Sequence, residues 1–158
     1  MKTDELKQIA EGLIETTEEA GKKSIELYKK GLKIITKPDN SPVSNGDLEV
    51  NKIITEKIKK LTPNIPIISE ETVDLTKKNT FKTFWLIDPI DGTKEYISGQ
   101  DEYTTNAALR VYSSLPAIYS FVPSIGSINQ NIFSLFFLCK STVSSETIGI
   151  LGVRSFIL

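Results

Sequence analysis

At 158 residues, with 39% hydrophobic and 25% charged side chains, the chain can bury one core and reads as a single domain, which excludes a fibre or a disordered segment. A formal net charge of -1 supplies no global field to attract nucleic acid or an anionic membrane, so neither is expected as a partner. Histidine is absent, which excludes Ser-His-Asp and Cys-His catalysis and the common zinc ligand sets and leaves carboxylate chemistry.

In residues 3–31, Leu6, Ile9, Ala10, Leu13, Ala20, Leu27 and Tyr28 recur at spacings of three, four and seven. That period predicts a long amphipathic helix with a solvated Lys/Glu face, stopped by Gly31. Residues 32–37 read as a short strand, and Lys37-Pro38-Asp39-Asn40-Ser41-Pro42 is dense enough in turn formers to be a loop. A second helix follows. Ser44-Asn45-Gly46-Asp47 has the S-x-x-D form of a capping box, with Val50, Ile54, Ile58 and Leu61 as the buried stripe behind it. Asp47 thus has two roles open, a helix cap or an acid aimed at a site, and local sequence favours the cap. Leu61-Thr62-Pro63-Asn64 ends this helix, and Ile65-Pro66-Ile67-Ile68 is a brief strand running into Ser69-Glu70-Glu71. Residues 72–81 are polar and read as a mobile connection.

Residues 84–87 predict a buried strand that Asp88-Pro89 ends, because proline donates no ladder hydrogen bond. Asp91-Gly92-Thr93 then offers close backbone approach and a candidate helix start. Two carboxylates at the mouth of a buried strand are costly unless paired, and a hard divalent cation is the usual partner. The N–H groups of Gly92 and Thr93 can face a phosphate oxygen beside it. Glu70 and Glu71 are surface charge unless their strand ends beside the other, so that Glu70 meets Asp88. Residues 95–102 read as a loop, and residues 103–111 and 117–122 as strands, the second ended by Pro123. From about Ser124 the pattern decays: residues 132–138 are apolar on both faces, which suits a fully buried strand, and the last twenty residues show no clear period. That apolar run is too short to span a bilayer, and no signal peptide is expected from the acidic start. A lone cysteine, Cys139, reads as a small buried apolar residue and, having no internal partner, fits the cytoplasm.

On these residues the chain resembles the inositol monophosphatase-like family of Mg²⁺-dependent phosphatases, and within it the branch of 3'(2'),5'-bisphosphate nucleotidases. The family's D-P-I/L-D-G-S/T signature stands as Asp88-Pro89-Ile90-Asp91-Gly92-Thr93, and Lys94-Glu95-Tyr96 matches the K-E-F/Y continuation of the nucleotidase branch. Asp39-Asn40-Ser41-Pro42-Val43-Ser44 before Asp47, and Leu61-Thr62-Pro63 before Ser69-Glu70-Glu71, fall in the expected order. The resemblance implies a layered α/β sandwich with two long helices on an antiparallel sheet. It also implies a ligand set: Glu70, Asp88 and the Ile90 carbonyl on one Mg²⁺, Asp88 bridging to a second ion that Asp91 also binds. Glu70, Asp91, Gly92 and Thr93 would contact substrate, while Asp47 and the Thr93 hydroxyl would activate the attacking water. That reverses the local preference on Asp47. The implied substrate is a small-molecule phosphate, adenosine 3',5'-bisphosphate, with inositol phosphate as the alternative.

Two departures qualify what the resemblance implies. Where the family has F-T-x-N-I-A-L, this chain has Tyr103-Thr104-Thr105-Asn106-Ala107-Ala108-Leu109. The family's W-D-x-x-A segment, with a further aspartate for the second metal, has no counterpart, since the only tryptophan is Trp85. The expectation is therefore one domain over residues 1–158, truncated to the family's N-terminal half, family-like over residues 1–126 with a divergent apolar tail over residues 127–158. Weak or absent catalysis is expected, the alternative being a non-catalytic remnant. Exposed apolar surface is expected to drive aggregation or a homodimer.

Overall fold

The computed structural model describes residues 3–72, 81–112, 132–141 and 148–156, and the side chains of residues 4–72 and 81–109. Helix α1, Thr3–Lys30, is the long helix expected, with Asp4 and Glu5 in its first turn and Lys29 and Lys30 in its last, signs that suit the helix dipole. Its outer face carries exposed pairs such as Glu18–Lys22 at 2.6 Å, which contribute little on a solvated surface. The inner face buries Ile9, Leu13, Ala20 and Ile25, with Thr16, Thr17 and Ser24 interleaved. Those three hydroxyls donate to the carbonyls of Gly12, Leu13 and Gly21, so burying them leaves none of them unpaired. Gly31, at φ +90°, ends the helix.

Strands β1 (Ile34–Thr36) and β2 (Pro42–Ser44) form an antiparallel hairpin with Ile35 opposite Val43. The expected loop between them is a tight turn in which Asp39 Oδ1 accepts from the backbone N–H and hydroxyl of Ser41. Pro42–Ser44 itself is strand, where sequence periodicity offered too few residues to show it. Helix α2, Asn45–Leu61, buries Val50, Ile54 and Ile58. Leu61, expected to continue that stripe, is instead 38% exposed, although its side chain lies against Gly12 of α1.

Five strands make the main sheet, in the order β3-β4-β5-β6-β7: β3 Ile67–Ser69, β4 Thr83–Asp91, β5 Thr104–Tyr112, β6 Ile132–Ser141 and β7 Ile148–Phe156. It is mixed rather than purely antiparallel, since β3 runs parallel to β4 with Ile67 opposite Trp85. A parallel neighbour is what makes two strands finish at the same end, so this correction places the end of β3 beside the Asp88 turn. β6 matches the apolar run over residues 132–138, and β7 lies in the stretch where no period was legible. The strand expected over residues 117–122 and most of the connection over residues 72–81 lie outside the described residues. Both helices pack on the sheet, α2 over β3 and β4 and α1 over β5, β6 and β7, and on each other. Ile9, Leu13, Ala20, Val50, Ile54, Ile58, Trp85, Ile87 and Leu109 form the core between these layers.

Trp85 is fully buried, and its indole N–H donates to Thr62 Oγ1 at 2.9 Å, at the end of α2. Thr62→Val keeps the shape and removes the acceptor. The expected result is a loss of about 1–3 kcal/mol of stability, seen as a lower urea midpoint with an unchanged slope. An unchanged midpoint would show that this bond does not tie α2 to the sheet.

Candidate active site

Strand β4 does not stop at Asp88-Pro89 as proline predicted. It continues to Asp91, because a bulge takes Pro89 and Ile90 out of the ladder: Asp88 stands opposite Asn106 and Asp91 opposite Thr104, so two residues of β4 face only Thr105 of β5. Proline is harmless there, having no N–H to leave unpaired. The Thr105 hydroxyl closes the bulge by donating to the Pro89 carbonyl at 2.8 Å. Side chains alternate along a strand, so residues 88 and 91 would ordinarily face opposite ways. One inserted residue restores the phase, and both acids then oppose Thr104 and Asn106, which share a face of β5.

The parallel β3–β4 register sets Ser69 opposite Ile87, and the Glu70 N–H donates to the Ile87 carbonyl at 3.0 Å. Glu70 and Asp88 therefore meet, close enough for the Glu70 carboxyl group to act directly on that of Asp88. The buried Ser69 hydroxyl donates to Asn51 Oδ1 at 2.6 Å, fixing the end of β3 to α2 one turn beyond Asp47.

The cap expected of Asp47 is present, and its second oxygen makes a further bond. The capping box at Ser44 is complete: Asp47 Oδ2 accepts from the Ser44 N–H at 2.8 Å and the Ser44 hydroxyl at 2.6 Å. Asp47 Oδ1 accepts from the Thr93 hydroxyl at 2.9 Å. The same hydroxyl lies 3.2 Å from the Ile90 carbonyl, its alternative acceptor. One carboxylate thus caps α2 and reaches the Asp91-Gly92-Thr93 turn.

Gly92 sits at φ +97°, and a Cβ there would lie 2.9 Å from the Glu102 carbonyl oxygen, so only glycine fits. Helix α3, Thr93–Ile97, follows where residues 95–102 were expected to be loop throughout. The reason is Tyr96, which is fully buried, packs its ring 4.9 Å from that of Tyr103 at a tilt of 56° and donates its hydroxyl to the Ser24 carbonyl at 2.7 Å. Gly46 of α2 lies against that ring, 2.5 Å from Cε1 to where a Cβ would stand. Tyr96 therefore carries no site chemistry; it fixes α3 against α1 and α2. Burial raises its phenol well above the ordinary value, so it stays neutral.

The acids crowd one another. Burial first, then the charge and hydrogen bond of Glu70 and the charges of Asp91 and Glu71, push Asp88 up to about 8. Its Oδ1 is buried without a hydrogen-bond partner. Burial also raises Glu71, against the opposing pull of Lys37, whose Nζ lies 2.9 Å from Glu71 Oε1 and 3.9 Å from Glu70 Oε1. Burial would lower Lys37, but the Glu71 hydrogen bond and the charges of Glu71, Glu70 and Asp47 outweigh it and hold the ammonium up. Lys37 was legible only as a turn residue, since the contact spans 34 positions. Among the described residues, no three acids converge as a finished metal cage. An orphaned buried carboxylate oxygen between further hard oxygen donors nevertheless fits a divalent cation in its chemistry.

The inositol monophosphatase family model matches residues 5–133, and the chain belongs to that family, which is metal-dependent. The 3'(2'),5'-bisphosphate nucleotidase CysQ of Aggregatibacter actinomycetemcomitans is 37% identical over 103 residues, covering 64% of this chain and 38% of that protein. CysQ of Buchnera aphidicola subsp. Acyrthosiphon pisum is 34% identical over 121 residues, covering 75% of this chain and 43% of its own. The chain thus spans less than half the length of these relatives. An inositol monophosphatase/NADP phosphatase complexed with NADP and Ca²⁺ shares the fold at a TM-score of 0.63, with 19% identity over 96% of this chain and 53% of that one. No helix among the described residues is long and apolar enough to cross a membrane.

Without divalent cation, folded Asp88 stays protonated to about pH 8, whereas an unfolded aspartate ionises near pH ~4. The folded chain binds more protons between those values, so stability is fullest below the lower one and is lost as pH rises towards the upper. Melting in chelator should show a midpoint falling from about pH 5 to 8, with Asp88→Asn flattening that slope and raising the midpoint at pH 8 by roughly a few degrees. An equal slope in the variant would remove Asp88 as its cause.

Proposed function

We propose that this chain is a Mg²⁺-dependent phosphomonoesterase acting on adenosine 3',5'-bisphosphate. The observation that carries this reading is the orphaned Asp88 Oδ1 beside Asp91 and Glu70, on the same turn as a Thr93 hydroxyl already bonded to Asp47. Glu70, Asp88, Asp91 and the Ile90 carbonyl would hold the cation. When bound, Mg²⁺ supplies charge stabilisation to the phosphoryl oxygens and lowers the pKa of water.

The protein's own groups divide the remaining work. Asp47 is fully buried and held through Oδ2 by Ser44, so Oδ1 has little freedom and keeps the Thr93 hydroxyl aligned. Thr93 orients the attacking water, and Asp47 is the acceptor for its proton. The Gly92 and Thr93 N–H groups donate to the substrate phosphate, with Glu70 and Asp91 also facing it. Identity to CysQ of 34–37% over the matched residues supports the nucleotide over inositol phosphate, the second substrate worth assaying.

Phosphate release from adenosine 3',5'-bisphosphate and from an inositol monophosphate, each with Mg²⁺ and with chelator, tests the proposal. Release from the nucleotide should require Mg²⁺ and fall about 100-fold or more in Asp47→Asn. Release no greater than from Asp88→Asn would end the enzymatic reading. Mg²⁺ binding without turnover would leave the non-catalytic remnant in its place.

A further inference from the structure

Asn106 lies outside every role assigned so far, yet it is placed to control one of the acids. In the β4–β5 ladder it stands opposite Asp88, but its side chain reaches across the bulge: Nδ2 donates to Asp91 Oδ2 at 3.2 Å. The Thr104 hydroxyl lies 3.5 Å from Asn106 Oδ1, which suits the amide orientation with nitrogen towards Asp91. An ionised carboxylate accepts only, so the NH₂ group must face it. One residue therefore touches the two positions that the bulge brings together, facing Asp88 through the backbone and Asp91 through its amide.

The chemistry of the donor matters. A lysine here would neutralise Asp91 and compete with a cation for it. A hydroxyl would be too short to cross the bulge from position 106. The amide engages Oδ2 with a neutral donor and leaves the negative charge in place, so it orients the carboxylate without displacing what the carboxylate would bind. Its own neighbours favour the same geometry: Thr105 is locked to Pro89, and Ala107 is buried in the core, so Asn106 sits between two fixed positions.

We infer that Asn106 is a positioning residue for divalent-cation binding, acting through Asp91. The inference rests on the metal reading above. Its test measures Mg²⁺ affinity of the 158-residue chain by titration calorimetry, with the metal-free melting temperature as a control for folding. Asn106→Leu should weaken Mg²⁺ binding about 10-fold or more while the metal-free melting temperature moves little. Asn106→Ser, too short to reach Asp91, should do the same and serves if the leucine variant folds poorly. In an Asp91→Asn background neither substitution should weaken binding further, since the residue acts through that carboxylate. A normal Mg²⁺ affinity in both variants would overturn the inference alone, as would an additive loss in the Asp91→Asn background. No Mg²⁺ binding by the unsubstituted chain would overturn the metal reading and this inference with it.

Discussion

Two residues of β4 opposing one of β5 is the constraint from which the site follows. Without the insertion, Asp88 and Asp91 would project from opposite faces of the sheet, one of them into the core, where an ionised carboxylate is untenable. With it, both reach the same side while the pair that is displaced, Pro89 and Ile90, is buried. The bulge also sets the Ile90 carbonyl within reach of the Thr93 hydroxyl and starts the turn that Gly92 alone can make. Proline marks the place because it is the residue that loses nothing by leaving the ladder. The signature Asp88-Pro89-Ile90-Asp91-Gly92-Thr93 is thus a backbone specification as much as a run of acids.

The second constraint is that separate elements must arrive at that turn together. α2 delivers Asp47, and its capping box is what fixes the approach: the carboxylate cannot swing away without opening the first turn of its own helix. The parallel strand β3 delivers Glu70, with Ser69 bonded to Asn51, which ties the end of β3 to α2. α3 is held from below by Tyr96 on the Ser24 carbonyl of α1. A disturbance of the α1–α2 packing is therefore transmitted to the site through buried polar bonds and not merely through the loss of core area.

Local periodicity was enough for the two helices, because each is long and one-sided, and for Gly31 and the capping box, because those are contacts within a few residues. It failed where a pattern depended on partners distant in the chain. Thr16, Thr17 and Ser24 look like gaps in the stripe of α1 until their hydroxyls are seen to bond back to the helix. Pro89 looks like a terminator until the register with β5 is known, and Tyr96 looks like part of a loop until its partner 72 residues away is in view. At the site, Asp88, Asp91 and Gly92 stood out from their own neighbours, but Glu70 needed a parallel partner to count. Lys37 read only as a turn residue, and Asn106 only as the asparagine of a family segment with nothing in the sequence to pair it with Asp91.

The supporting groups around the acids share a property that bears on what the site can hold. Ser44 and Thr93 on Asp47 and Asn106 on Asp91 are neutral donors, which orient a carboxylate and leave its charge intact. Lys37 is the exception, and its ammonium goes to Glu71, nearer by 1.0 Å than to Glu70. Neutral scaffolding of this kind accumulates negative potential instead of cancelling it, and burial first, then the neighbouring acids, push Asp88 up to about 8. A proton is a poor substitute, because it serves one oxygen pair and leaves Asp88 Oδ1 buried and unbonded. A divalent cation would relieve both the charge and the orphaned oxygen, which a proton on one carboxyl group cannot do.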